Sequence, residues 1–112
     1  MIEGARMNSF TLEDLEAIIA SRAIESPDQS YTASLLAKGT GKCAEKFGEE
    51  AIEAVIAAVS QEKAELIGES ADVLFHLLVM LKSNKIELSE VMSELASRTA
   101  QTGHQEKASR GK

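Results

Sequence analysis

Glu49-Glu50-Ala51-Ile52-Glu53 and, after a polar break, Glu69-Ser70-Ala71-Asp72-Val73-Leu74-Phe75-His76-Leu77-Leu78-Val79-Met80-Leu81 form the stretch on which the fold of this chain turns. Neither half alternates polar and apolar residues as a half-buried strand does. At about 100° per residue, Ile52, Val55, Ile56 and Val59 share one helical face, while Lys46, Glu49, Glu50 and Glu53 share a different arc. Glu50 and Glu53 are three apart, as are Glu69 and Asp72, so each pair stacks on one face of its helix. Over residues 73–81 only His76 is polar, which predicts a helix buried nearly all round. The short break at residues 60–63 implies an antiparallel hairpin. In that hairpin the two carboxylate pairs converge near one level.

Working outward, the two long helices are expected over residues 42–59 and 64–83. Asn84 and Lys85 make a turn before a last helix at 89–99, with Val91, Met92 and Leu95 on one face. Upstream, the Thr11 hydroxyl can cap a helix carrying Asp14 three residues on, with Leu12, Leu15, Ile18 and Ile19 at helical spacing. Pro27 and Asp28 mark residues 25–30 as a loop. Residues 31–37 read as a short helix ended by Gly39 and Gly41. Residues 1–10 read as a loose leader and 101–112 as a polar tail, leaving one domain at 11–100. The 112 residues are rich in helix formers and hold one proline, so the expected fold class is all-α, an antiparallel helical bundle. A chain this short builds a thin core. The apolar run at 73–81 has more faces than one such chain can cover, which predicts a homodimer whose central bundle contains both long helices of each copy.

A net charge of −6 argues against a general nucleic-acid binder, which needs a basic surface. It leaves room for a phosphate-bearing small molecule met through a metal ion. One cysteine, Cys43, allows no intramolecular disulfide and fits a reducing compartment. The start lacks the apolar run of a signal peptide, and 73–81 is too short to span a bilayer. The expected location is the cytoplasm, with no membrane partner.

Four or five carboxylates between packed helices repel one another unless a cation sits among them. Oxygen ligands alone suit Mg²⁺ or Mn²⁺, whereas zinc would recruit His or Cys. His76, His104 and Cys43 show no zinc spacing. The plain alternative is a solvated acidic surface, which Glu49, Glu50 and Glu53 by themselves would satisfy. Asp72 counts against it, since with His76 it borders an apolar stretch where an unpaired charge is costly. Lys42 and Lys46 sit one turn apart ahead of the glutamates. They either pair locally, Lys42 with Glu45 and Lys46 with Glu50, or neutralise phosphate oxygens of a substrate. His76 is a partner of a carboxylate, a contact to substrate, or a satisfied core histidine. Cys43 reads as inert, and Gly39 and Gly41 lack the spacing of a phosphate loop.

The pattern Glu-Glu-x-x-Glu, a gap, then Glu-x-x-Asp resembles that of the MazG-like all-alpha nucleotide pyrophosphohydrolases. Ser30-Tyr31-Thr32, Lys46-Phe47-Gly48-Glu49-Glu50-Ala51, the run from Glu69 to Val79 and Glu106-Lys107-Ala108-Ser109-Arg110 narrow the resemblance to the phosphoribosyl-ATP pyrophosphatase family. It covers about residues 12–110. Phe75 stands where that family often has tyrosine, and Cys43 where a small or aliphatic residue is common. The resemblance implies magnesium-dependent hydrolysis of phosphoribosyl-ATP to phosphoribosyl-AMP and pyrophosphate, the second step of histidine biosynthesis, by a homodimer. It implies Glu50, Glu53, Glu69 and Asp72 as metal ligands, with Glu49 binding a second ion or positioning the attacking water. Lys42, Lys46 and His76 are the substrate-binding candidates, and Glu49 and Lys46 the catalytic ones. Two other readings stand beside it: a house-cleaning nucleoside triphosphate pyrophosphohydrolase, and a non-enzymatic helical adaptor with a decorative acidic face. A ferritin-like di-iron bundle would need Glu-x-x-His, and neither histidine has a glutamate three residues before it.

Overall fold

Thr11 opens the first helix as a reciprocal cap: its Oγ1 accepts from the Asp14 amide at 3.0 Å while its own amide donates to the Asp14 carboxylate at 3.0 Å. The computed structural model describes residues 9–100, and every regular element among them is helical. In chain order these are α1 (Leu12–Ala23), α2 (Tyr31–Lys38), α3 (Thr40–Val59), α4 (Lys63–Ser83) and α5 (Leu88–Thr99). The expected leader lies outside the described residues over 1–8, as does the whole expected tail.

The loop between α1 and α2 is pinned by buried Ser30. Its Oγ donates to the Arg22 carbonyl at 2.9 Å and accepts from the Ala33 amide at 3.0 Å, capping α2 while holding the end of α1. Between α2 and α3 the punctuation is Gly39 alone, at φ 97°, a conformation that favours glycine. Gly41 lies inside the first turn of α3 and ends nothing. The helix starts fall slightly upstream of expectation, at Thr40, Lys63 and Leu88. At α5 the reason is a second capping box, in which the Glu87 amide donates to Glu90 at 3.0 Å.

α3 and α4 form the expected antiparallel hairpin, the most extensive helix pair of the fold. Gln61, at φ 60°, turns the chain, and the Glu62 amide closes back on the Ala57 carbonyl at 3.1 Å. Lys85 ends α4 in the same way, with φ 61° and the Ile86 amide on the Leu81 carbonyl at 3.0 Å. The open end of the hairpin is tied by side chains: Asn84 Nδ2 donates to Thr40 Oγ1 at 2.8 Å, and Thr40 and Ser83 hydroxyls meet at 2.9 Å. The core is small, with Ile19, Leu35, Cys43, Leu78, Val79 and Leu88 at its centre. Cys43 is fully buried, its thiol facing the Leu35 carbonyl at 3.5 Å.

Residues 73–81 are not buried all round within the protomer. Leu78 and Val79 are buried, but Leu74 is 41% exposed. Along α3, Ile52, Val55, Ile56 and Val59 stay 53–76% exposed, and Ile67 on α4 is 63% exposed. These positions make an apolar stripe along the hairpin that no other described element covers.

Candidate active site

Glu53 and Glu69 lie eight positions before and after Gln61, and Glu50 and Asp72 lie eleven before and after it. In an antiparallel hairpin turning at Gln61, equidistant positions stand side by side, so α3 and α4 carry their carboxylates to matching levels. Oxygens of Glu50, Glu69 and Asp72 all lie within 4.8 Å of one another. Glu53 is outside that trio, although its charge still reaches Glu69. Glu50 and Glu69 are half-buried, whereas Asp72 is exposed. The low-dielectric penalty expected at Asp72 therefore falls on Glu69 instead, whose Oε1 is shielded from solvent and has no hydrogen-bond partner among the described residues.

The glutamate pair explains that orphaned oxygen. With Glu50 and Glu69 both ionised there is no proton to share between them; a protonated Glu69 can donate to Glu50. This potential hydrogen bond, followed by burial and the charges of Glu50, Glu53 and Asp72, raises the Glu69 pKa above the ordinary glutamate value. Glu50, Glu69 and Asp72 would hold a hard divalent cation, which would offset their mutual repulsion, and an all-oxygen donor set fits magnesium or manganese. Without metal, a raised folded-state pKa favours folding fully below the unfolded value of about 4.5 and loses that contribution as pH rises through the folded value. The difference in metal-free stability between wild type and Glu69→Gln is expected to shift toward the variant as pH rises from about 4.5 to 7. Thermal melts in a chelator check this; a pH-independent difference would remove the carboxylate coupling.

Lys46 donates to Glu49 at 3.1 Å, and not to Glu50 as the spacing suggested; Lys42 meets Glu45 at 3.5 Å as expected of a local pair. The Glu49 contact raises the Lys46 pKa, and the Lys46 ammonium lowers that of Glu49. His76 is buried, and its Nδ1 has no partner among the described residues. Burial is the main cause lowering its pKa, opposed by the charge of Glu50, with smaller contributions from Lys46, Asp72 and Glu49; the imidazole is thus within electrostatic reach of these charged groups. Its ring packs edge-on to Phe75 at 5.0 Å and Tyr31 at 6.0 Å.

The sequence model of the phosphoribosyl-ATP pyrophosphohydrolase family matches residues 12–99, nearly all of the described chain. The chain belongs to this family. The phosphoribosyl-ATP pyrophosphatase of Allorhizobium ampelinum is 61% identical over 93% of the chain and 100% of the relative. Those of Methylobacterium nodulans and Rhizobium meliloti are 57% and 54% identical, each over 93% of the chain and 97% of the relative. Membership in the phosphoribosyl-ATP pyrophosphohydrolase family makes this a hydrolase of a phosphoanhydride in histidine biosynthesis, and the adaptor reading falls. Within the family frame, the site holds one feature that helical spacing did not signal. Tyr31, on another helix, joins the cluster through the α2–α4 contact, which a reading of α3 and α4 alone has no means to find.

Proposed function

We propose that the chain hydrolyses phosphoribosyl-ATP to phosphoribosyl-AMP and pyrophosphate, with magnesium, or manganese, held by Glu50, Glu69 and Asp72 and completed by Glu53. The observation that carries this reading is the convergence of three carboxylates, one of which, Glu69, has a shielded oxygen with no partner among the described residues. A bound divalent cation supplies charge neutralisation for the polyphosphate and makes water more acidic. Glu53 lies one turn from Glu50 on α3, close enough to swing in when the repulsion is relieved.

Hydrolysis breaks the bond between the α- and β-phosphates, with water attacking phosphorus and pyrophosphate leaving. Glu49 is the acceptor for the proton of that water. In the free protein Lys46 holds Glu49 in its weakly basic state. Their ion pair is open to solvent and screened by it, so it holds the ammonium only weakly. A phosphate oxygen can therefore take over the ammonium, and Glu49, released from Lys46, becomes a better base as the substrate arrives. Lys42, one turn away, offers further positive charge to the phosphates, and His76, whose Nδ1 has no partner among the described residues, is a further substrate contact.

The assembly proposed is a homodimer in which α3 and α4 of two copies pair across their apolar stripes. Covering each of these aliphatic side chains returns on the order of 1–2 kcal/mol. No helix among the described residues is long and apolar enough to cross a membrane. We place the enzyme in the cytoplasm, where a free, buried cysteine and a biosynthetic role are at home.

The direct test is pyrophosphate release from phosphoribosyl-ATP against ordinary and damaged nucleoside triphosphates, with and without magnesium. Preference for damaged triphosphates would replace this substrate by the house-cleaning one. Lys46→Ala is expected to lower kcat/KM by tenfold or more, roughly the loss of one charge-assisted contact to phosphate, with the melting temperature nearly unchanged. Unaltered steady-state kinetics in Lys46→Ala would take Lys46 out of the reaction.

A further inference from the structure

Beside the carboxylates lies an aromatic group that the hydrolytic step does not use. Tyr31 opens α2, directly after the buried cap Ser30, so its backbone is anchored while its side chain is 54% exposed. Its ring stacks on Phe75 at 6.2 Å with an interplanar angle of 18°, and meets the edge of His76 at 6.0 Å. Two neighbours thus fix the ring from the α4 side and leave much of it open. Phe75 follows Asp72 by three residues on α4, and the Tyr31 phenol is close enough to Lys46 to act on its ammonium. A flat, solvent-facing ring packed on two aromatic neighbours therefore stands near the proposed phosphate and metal positions.

Burial alone does not account for this arrangement. A tyrosine serving only the core would turn its ring inward, as Leu35 of the same helix does, being 2% exposed. A pre-ordered aromatic face beside a phosphate-binding cation instead matches the two ends of a nucleotide. The phosphates need charge, and the base needs a π-surface, which stabilises stacking without reading hydrogen-bond edges.

We propose that Tyr31, held by Phe75 and His76, is the stacking platform for the purine ring of the substrate. This deepens the hydrolytic reading above and rests on it for the position of the phosphates. Tyr31 is a binding residue, so its effect belongs in KM. Phe75 is a positioning residue that acts through it.

The chain contains one tyrosine and no tryptophan, so its intrinsic emission reports Tyr31 alone. Titration of the wild-type protein with AMP is expected to quench that emission saturably, after correction against a free tyrosine derivative for absorption by adenine. Ribose 5-phosphate and tripolyphosphate, which lack the base, should leave it unchanged. For turnover of phosphoribosyl-ATP, Tyr31→Phe should keep a near wild-type KM. Tyr31→Leu, which retains bulk but has no π-face, should raise KM about tenfold with kcat within about threefold, the scale of one lost base stack. Inhibition by pyrophosphate should be equal in both variants. Equal quenching by tripolyphosphate, no quenching by AMP, or a loss confined to kcat in Tyr31→Leu would overturn the platform. If the wild type does not cleave phosphoribosyl-ATP at all, the substrate reading fails by itself, and the AMP titration still decides the role of Tyr31.

Discussion

Asp72→Asn is expected to reduce magnesium-dependent pyrophosphate release by a hundredfold to about a thousandfold, the several kcal/mol that a fully formed metal site contributes to charge stabilisation. The substitution keeps the shape of the side chain and withdraws one charge from a trio whose oxygens lie within 4.8 Å. Because Asp72 is exposed, its neutralisation should leave the metal-free protein equally or slightly more stable. Magnesium should raise the melting temperature of the wild type, as any ligand selective for the native state does, and raise that of Asp72→Asn much less. A surface-only role for the carboxylates predicts no change in either quantity. Wild-type activity in Asp72→Asn would remove the metal centre from the mechanism.

A second large effect is expected from the apolar stripe. Wild-type protein should run as a dimer at micromolar concentration in light scattering. Val55→Glu with Ile56→Glu should convert it to a monomer. Val55 and Ile56 are 61% and 53% exposed in the protomer and support none of its buried core, so each chain should keep its helical circular dichroism. Burying two unpaired charges across a symmetric face is costly enough to dissociate it, since each residue occurs on both sides of the axis. Activity should fall with the dimer, because α3 and α4 carry both the stripe and the carboxylates. A monodisperse wild-type monomer would show that the stripe serves something other than a second copy.

Periodicity and capping chemistry made the helices legible before any tertiary contact. Thr11 and Asp14, the apolar face of α3 and the turn at Asn84-Lys85 are local features, and local interactions of this kind survive in any context that permits a helix. The grouping of Glu50, Glu69 and Asp72 was also readable, because a hairpin turning near residue 61 makes sequence distance a measure of height along the helices. The family, too, is written in the order of these residues, and the family match over residues 12–99 agrees with it.

Tertiary structure decided what depends on side-chain reach and on shielding. Lys46 has Glu49 and Glu50 at nearly equal spacing, and only rotamers and neighbouring charges select Glu49. Asp72 adjoins an apolar run in the chain yet faces solvent in the protomer, because its side of α4 points away from the small core; the shielded oxygen without a partner among the described residues is that of Glu69. Tyr31 reaches Phe75 and His76 across a gap of more than forty residues, and no spacing rule connects positions whose neighbourhood is set by how α2 crosses α4. A helix's own pattern determines which faces it has; which of them meets a partner, a ligand or water is a property of the packed molecule.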